Sequence, residues 1–546
     1  MPSLSPLDTP LDLRLAKHLL RRATFNYSKE QLEVFVGMSA IDAVNSIAIN
    51  PSNILSEPYD PLPKTDPDGY WTSSLELPNS FSGQNRKRAI ITAWWWYNAI
   101  NRVSLKHKLS FFLHTSFTVG KNSGTGPATS FYDHINLLDY YALGNIKTFA
   151  KKITLDNSML YYLNNTQNNK NNPNENYARE FLELFTILKG EQIGEGNYTN
   201  YTEVDIQQAA KIFSGFKAKT NRTVIDPDTG IPSGYANFYQ HDKNNKTFSS
   251  AFGNEVITAA TSASDMTREL SDFVDMVFRQ QETAMAYCRK LYRFFVKSEW
   301  DEAVETDIIT PLAQQLSAND FNILPVVKTL LSSKHFFDAD DGDATDNTIG
   351  ALIKSPLQLL TEVCSIFSVN YPNPQTDPLR YYTNFFLYFL HNTYFKASGM
   401  ELFDPDSVAG YPAYYQEPGF DLNWFSSNTL IGRYKLIESL ITGKNTITTG
   451  NHFSRLDTVL FTKNKITKPS DPIELITEIA MLFYPEAIDS DRINYFKTFL
   501  VDEGFPDYYW TGTWNQYLNN NDDTAVRPRL NALITAMVNA NEFQLM

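Results

Sequence analysis

Apolar residues recur at three- and four-residue spacing along most of this chain, and no other feature constrains its fold as much. The pattern runs through 11–23, 29–36, 88–103, 133–143, 175–188, 204–214, 267–278, 283–297, 311–316, 356–367, 428–441, 473–482, 492–501 and 527–541. Such spacing lays one apolar stripe along each helix, so it predicts an all-α, large multi-helix globular protein. Strand-like alternation is confined to stretches such as 223–225, too short for more than a small hairpin. Long irregular loops separate the helices at 50–82, 164–174, 218–262, 338–348, 371–378 and 404–423. The loop at 218–262 divides the chain into an N-terminal helical half, 1–262, and a C-terminal half, 263–546, packed on it as one continuous unit.

Charge narrows the function. With 47 Lys and Arg against 61 Asp and Glu, the net charge is −14, which argues against a nucleic-acid binder because neutralising phosphates takes surplus cations. Asp8, Asp12, Arg14, Lys17, Arg21 and Arg22 interrupt the first 26 residues and leave no apolar core for a secretory signal. The chain therefore reads as cytoplasmic. Its most apolar short run, 385–390, falls far below bilayer-spanning length, so no transmembrane segment is expected. Cys288 and Cys364 lie in helix-like segments and read as buried free thiols.

The most informative stretch is 173–186, Pro-Asn-Glu-Asn-Tyr-Ala-Arg-Glu-Phe-Leu-Glu-Leu-Phe-Thr, which follows an Asn-rich loop. On a helix, Glu175, Asn176, Arg179, Glu180, Glu183 and Thr186 share a wedge roughly 140° wide, opposite Tyr177, Phe181, Leu184 and Leu188. Asn174 is placed to cap this helix, and Glu175 sits where the helix dipole favours a negative charge. Two readings of the acidic face stand open. In one it is solvated, with Arg179 and Glu183 paired at i,i+4 for a few tenths of a kcal/mol. In the other, Glu180 and Glu183 converge as carboxylates able to hold a metal or act as acid and base, with Arg179 steadying an anionic substrate.

That string, continued by Tyr201-Thr202-Glu203-Val204-Asp205 and by 209–216, resembles the bacterial domain-of-unknown-function eighteen-hundred family. Further segments agree in order: Lys17-His18-Leu19-Leu20-Arg21-Arg22, the aromatic-histidine segment 111–117, Lys290-Leu291-Tyr292-Arg293-Phe294, Ile353-Lys354-Ser355-Pro356, Gly410-Tyr411-Pro412 through Trp424 to Arg433, and Glu542-Phe543-Gln544-Leu545. The resemblance covers nearly the whole chain. It implies a mostly helical protein, often exported in relatives, which sets the cell envelope beside the cytoplasm as a location. It also implies a protein partner, because the relatives' genes often lie beside a second family resembling sulfatases and alkaline phosphatases. The chain departs from the family at His114-Thr115-Ser116, where relatives often have His-Asn-His, and at Asn26, where many have Gly.

Placed by the resemblance, His114 faces the Glu180 helix. His114, Glu180 and Glu183, completed by His241 or Asp242, would then suit a divalent metal. Arg21 and Arg22 could clamp an anion or join an internal ion-pair network, and with Asn174, Glu175, Asn176, Trp424 and Arg433 they make up the candidate ligand-binding set. Aromatic belts at 411–424 and 508–517 suit a sugar ring, an extended peptide or the core. Asp338, Asp340, Asp341, Asp343 and Asp346 break the EF-hand pattern and read as a solvated loop. Trp94, Trp95 and Trp96 cannot share one helix face, so at least one must be exposed or packed on a partner or another helix. Two functions result: a binding or assembly protein acting with a protein or glycan partner, or, as the alternative, a metal-assisted hydrolase or transferase centred on Glu180, Glu183 and His114. The first is favoured, since the motif specifies a fold and names no chemistry.

Overall fold

Capping chemistry starts many of the helices where the sequence places it. Asp12 Oδ1 accepts the Leu15 N–H at 2.8 Å to open Leu13–Ala23, and Ser355 and Asp471 cap helices whose first residue is a proline. The computed structural model describes residues 2–62, 72, 83–342, 348–448 and 450–546. Among these residues there are twenty-three α-helices, and the six strands, two or three residues long, form three antiparallel pairs. Ile225 makes only an isolated bridge to Pro232. The fold is all-α with long irregular loops. Asp343, Asp346 and much of the 50–82 loop lie outside the described residues.

The core is built around Gln84–Ile100, a helix buried on nearly all sides. Trp94 packs on Tyr132, Trp95 on Phe25 and Phe403, and Trp96 on Tyr371, Phe385 and Phe386, so each indole meets a different element. Several short helices escape periodicity, among them Ala40–Ile47 and Asn157–Tyr162, because two turns give the pattern too few repeats. Arg380–Phe395 is π-helical and apolar around much of its circumference. No helix among the described residues is long and apolar enough to cross a membrane.

The 218–262 loop is pinned down. Phe248, Phe252 and Ile257 enter an apolar cluster that includes residues from both halves of the chain. His241 Nε2 and Lys246 Nζ reach Glu269 at 2.8 and 2.5 Å, all three side chains fully buried. Cys288 and Cys364 are buried free thiols, and burial raises both.

Candidate functional site

The Asn-rich loop is a scaffold for the helix that follows it. Asn168 and Asn165 are buried; Asn168 Nδ2 donates to the Ala210 carbonyl at 2.8 Å, and Asn168 Oδ1 accepts the Asn174 N–H at 3.0 Å. Asn174 Oδ1 in turn accepts the Asn176 N–H at 3.0 Å and satisfies a free amide of the first turn. The α-helix then covers only Asn176–Glu180. Phe181–Phe185 widens into a π turn and Leu188 turns away at φ +62°, so the single helix expected over 175–188 is corrected. Side chains take over carbonyls there: Thr186 Oγ1 donates to Phe181 O at 2.5 Å, Lys290 Nζ to Leu184 O at 2.6 Å and Tyr287 Oη to Phe185 O at 2.8 Å.

The widened turn moves residue 183 off the i+4 position, so the Arg179–Glu183 pair does not form. Arg179 binds Glu203 at 2.7 and 3.2 Å and Glu175 at 3.4 Å, while Glu183 pairs with Lys189. Burial and then the Glu183 charge push the Glu180 carboxyl up to about 7. The raised Glu180 carboxyl thus lies near a second carboxyl that is ion-paired to a lysine, and two carboxyls in unlike environments suit acid and base roles. Stability follows from the same shift. Folded Glu180 keeps a proton that the unfolded chain releases above pH 4.5, so stability falls as pH rises from 4.5 to 7. Glu180→Gln is expected to abolish that fall and to stabilise the protein by about 1–2 kcal/mol at pH 8, the full shift being discounted for partial exposure. Urea unfolding of both proteins at pH 5 and pH 8 checks it; equal midpoints at pH 8 would refute it.

Glu183 lines a cleft of about 610 Å³. Its walls come from four separated segments: the end of Lys106–Ser116, the 183–190 stretch, the helix Gln281–Phe295 and the loop around Tyr414 and Tyr415. Four cations, Lys189, Arg289, Lys290 and Arg293, face two carboxylates, Glu183 and Glu417, in a chain whose net charge is −14. Burial and the Arg293 charge bring Lys290 down to about 7. Burial also lowers Arg293, to about 10, with its guanidinium 4.1 Å from the centre of the Phe420 ring. Arg289 is paired with Glu305 at 2.6 Å. Thr115 and Ser116 also line this cleft. Sequence reasoning missed the basic face of Gln281–Phe295; the spacing of Arg289 and Arg293 at i,i+4 was its available signal.

The metal set is not brought together. His114 is fully buried against Phe403, Phe111 and Tyr411, neither ring nitrogen has a partner, and burial holds the ring well below the usual imidazole range. His241 is paired with Glu269, and Asp242 Oδ1 accepts the Asn244 N–H at 3.0 Å. Among the described residues no three His, Cys, Asp or Glu form a group that could hold a metal ion.

Arg21, Arg22 and Arg433 are each 1% exposed, and they bind the chain's own oxygens. Arg21 takes Glu362 at 2.7 Å, as does Lys354. Arg22 donates to the carbonyls of Val296, Thr348 and Met546. Arg433 donates to Gln544 Oε1 at 2.9 Å and Lys354 O at 2.8 Å. Trp424 is buried beside Tyr411 and Tyr414, and Trp510 and Trp514 are buried while Tyr508 and Tyr509 are exposed. The acidic loop is not simply solvated, since Asp338 is buried and Asp340 accepts from His335 and Ser3.

Several segments of the family resemblance meet in this arginine network, among them those of Arg21 and Arg22, Lys354, Arg433 and Gln544. No curated protein and no solved structure matches the chain significantly. The family model described as "Protein of unknown function (DUF1800)" matches residues 18–545, and the chain belongs to that family.

Proposed function

We propose that the protein is a binding protein whose cleft takes the acidic end of a glycan. The surplus of cations on aromatic walls carries this reading: a carboxylate or sulfate meets Lys290 and Arg293 while a sugar face stacks on Tyr415, which is 39% exposed. Calorimetry with oligogalacturonate and with sulfated disaccharides tests it. Arg293→Gln is expected to weaken binding about tenfold, roughly 1.4 kcal/mol, and neutral oligosaccharides are expected not to bind. Equal binding of neutral and acidic sugars, or binding of neither, overturns it. An acidic glycan fits the cell envelope better than the cytoplasm. The sulfatase-like neighbouring family is the protein partner that the resemblance implies, and co-purification of the two chains tests that assembly.

The second reading is a hydrolase or transferase that uses Glu180 and Glu183, supported by their acid and base asymmetry. Elemental analysis of the protein beside Glu180→Gln and Glu183→Gln tests the metal-assisted form. Near-stoichiometric metal lost in both variants favours it, and a metal-free, folded wild type removes it.

A further inference from the structure

Lys290 stands apart from the other cations of the cleft. It lies on Gln281–Phe295, is partly exposed and lines the space of about 610 Å³ between the 183–190 stretch and the Tyr414 loop. Its Nζ donates to the Leu184 carbonyl at 2.6 Å and lies 5.8 Å from the centre of the Tyr287 ring, and it makes no ion pair among the described residues. Carboxylates near it are committed elsewhere: Glu183 pairs with Lys189, and Glu282 and Glu305 pair with Arg289. Burial and the Arg293 charge therefore act on an ammonium without a counter-ion, and they bring it down to about 7. A neutral amine can keep one N–H on the Leu184 carbonyl and still present its lone pair to the cleft. A lysine desolvated beside another cation is activated as a nucleophile towards carbonyl carbons.

Arg293 selects the substrate. It follows Lys290 at i,i+3, so the two side chains leave the helix as neighbours, roughly 5–6 Å apart at Cβ. Arg293 Nε donates to Ser298 O at 3.4 Å, and neither Nη has an acceptor among the described residues. The Glu417 charge acts on it from the Tyr414 loop, with no direct ion pair among those residues. A planar fork with both Nη groups available suits a carboxylate. A carboxylate held there sets the carbon bonded to it beside Lys290, so the reactive carbonyl must adjoin the carboxylate, as in a 2-oxo acid. The aldehyde of a uronic acid sits at the opposite end of its carbon chain and does not meet this condition. The cleft volume lies within the range of small-ligand sites and leaves room for a polyhydroxy tail along Tyr415.

We propose that Lys290 forms a Schiff base with a 2-oxo sugar acid whose carboxylate is held by Arg293. Lys290 Nζ bonds to the carbonyl carbon while the carbonyl π pair moves to oxygen. Both amine protons leave with that oxygen as water, and the nitrogen of the new C=N bond takes one proton from solvent. The sum is amine, 2-oxo acid and a proton to iminium and water, with no further reactant. This rests on the cleft taking the acidic end of a sugar, and it adds what the lysine does there.

The test treats the full chain with pyruvate or 2-oxo-3-deoxygluconate and sodium cyanoborohydride, which reduces the C=N bond to a stable amine. Peptide masses are expected to place one adduct near-stoichiometrically on Lys290, at a rate that rises through about pH 7. Lys189, which its hydrogen bond to Glu183 shifts upward, and ordinary exposed lysines should react only towards about pH 10. Lys290→Arg, which keeps a donor for the Leu184 carbonyl, is expected to lose the adduct. Arg293→Gln, or neutral butanone in place of pyruvate, is expected to slow labelling about tenfold. Circular dichroism of both variants confirms that they fold. No adduct on Lys290, an adduct spread evenly over the exposed lysines, or equal labelling by butanone overturns the proposal. Oligogalacturonate has no 2-oxo group, so its calorimetry judges the cleft separately. Its binding without any adduct removes only the Schiff base, whereas an adduct without its binding keeps the Schiff base and confines the cleft to 2-oxo acids.

Discussion

Replacing Glu362 by leucine is expected to destabilise the protein by about 3–5 kcal/mol, the cost of leaving buried charges without their counter-ion. Glu362 is 1% exposed, and its Oε1 accepts from Arg21 at 2.7 Å, Lys354 at 2.7 Å and the Tyr27 hydroxyl at 2.8 Å. Burial alone would raise this carboxyl, but the Arg21 and Lys354 charges and their hydrogen bonds outweigh it and hold the group below its ordinary value. The carboxylate therefore contributes stability that is present above pH 4.5 and lost as pH falls through the depressed value. Leucine fills much of the space and removes the carboxylate that Arg21 and Lys354 share, so the loss is electrostatic more than steric. Urea midpoints measure it. Adding Lys354→Met to Glu362→Leu is expected to recover about 1 kcal/mol, since one stranded cation goes. A Glu362→Leu protein within 1 kcal/mol of wild type would show that these cations find other partners.

Glu269→Leu is expected to act locally instead. His241 Nδ1 faces the Ser214 carbonyl at 2.7 Å and Nε2 faces Glu269 at 2.8 Å. The ring and Lys246 thus share one buried carboxylate. The same carboxylate accepts the Ala260 N–H at 2.8 Å. Its loss is expected to cost about 3 kcal/mol and to release 241–260 while the Leu13–Ala23 helix stays protected. Hydrogen exchange of the loop amides should quicken by about two orders of magnitude, and new proteolytic cuts should fall between 241 and 260. Uniform acceleration across the chain would instead show that this ion cluster stabilises the whole core.

Local chemistry was legible wherever neighbours in sequence are neighbours in space. Periodicity locates most of the long helices but not Arg380–Phe395 or Tyr508–Asn520; Asn174 accepts a first-turn N–H although Glu175 is the capping residue, and the three tryptophans, which cannot share one face, pack on different elements. The π turn was not legible, because it is stabilised by Lys290 and Tyr287, about a hundred residues away. One of the two readings of the acidic face pairs Arg179 with Glu183, whereas Arg179 binds Glu203 on another helix and Glu175. The cleft was missed for a related reason: Arg289, Lys290 and Arg293 look like an ordinary solvated face until Thr115, Glu183 and Tyr414 are set opposite them. Arg21 and Arg22 could be read as either a clamp or an internal network, and only their burial and the position of Glu362 separate the two.

The arginine network also bears on how the chain is synthesised. Arg21 and Arg22 precede three of their partners, Thr348, Glu362 and Met546, by more than three hundred residues. A nascent chain halted after residue 350 would hold two arginines that the folded protein buries, with neither the Glu362 carboxylate nor the Met546 oxygen available. The Leu13–Ala23 helix can form on its own but makes these contacts only once Glu362 and Met546 have been made. Contacts of such long sequence separation make folding slow and late, and partly made chains of this protein are natural clients for chaperones.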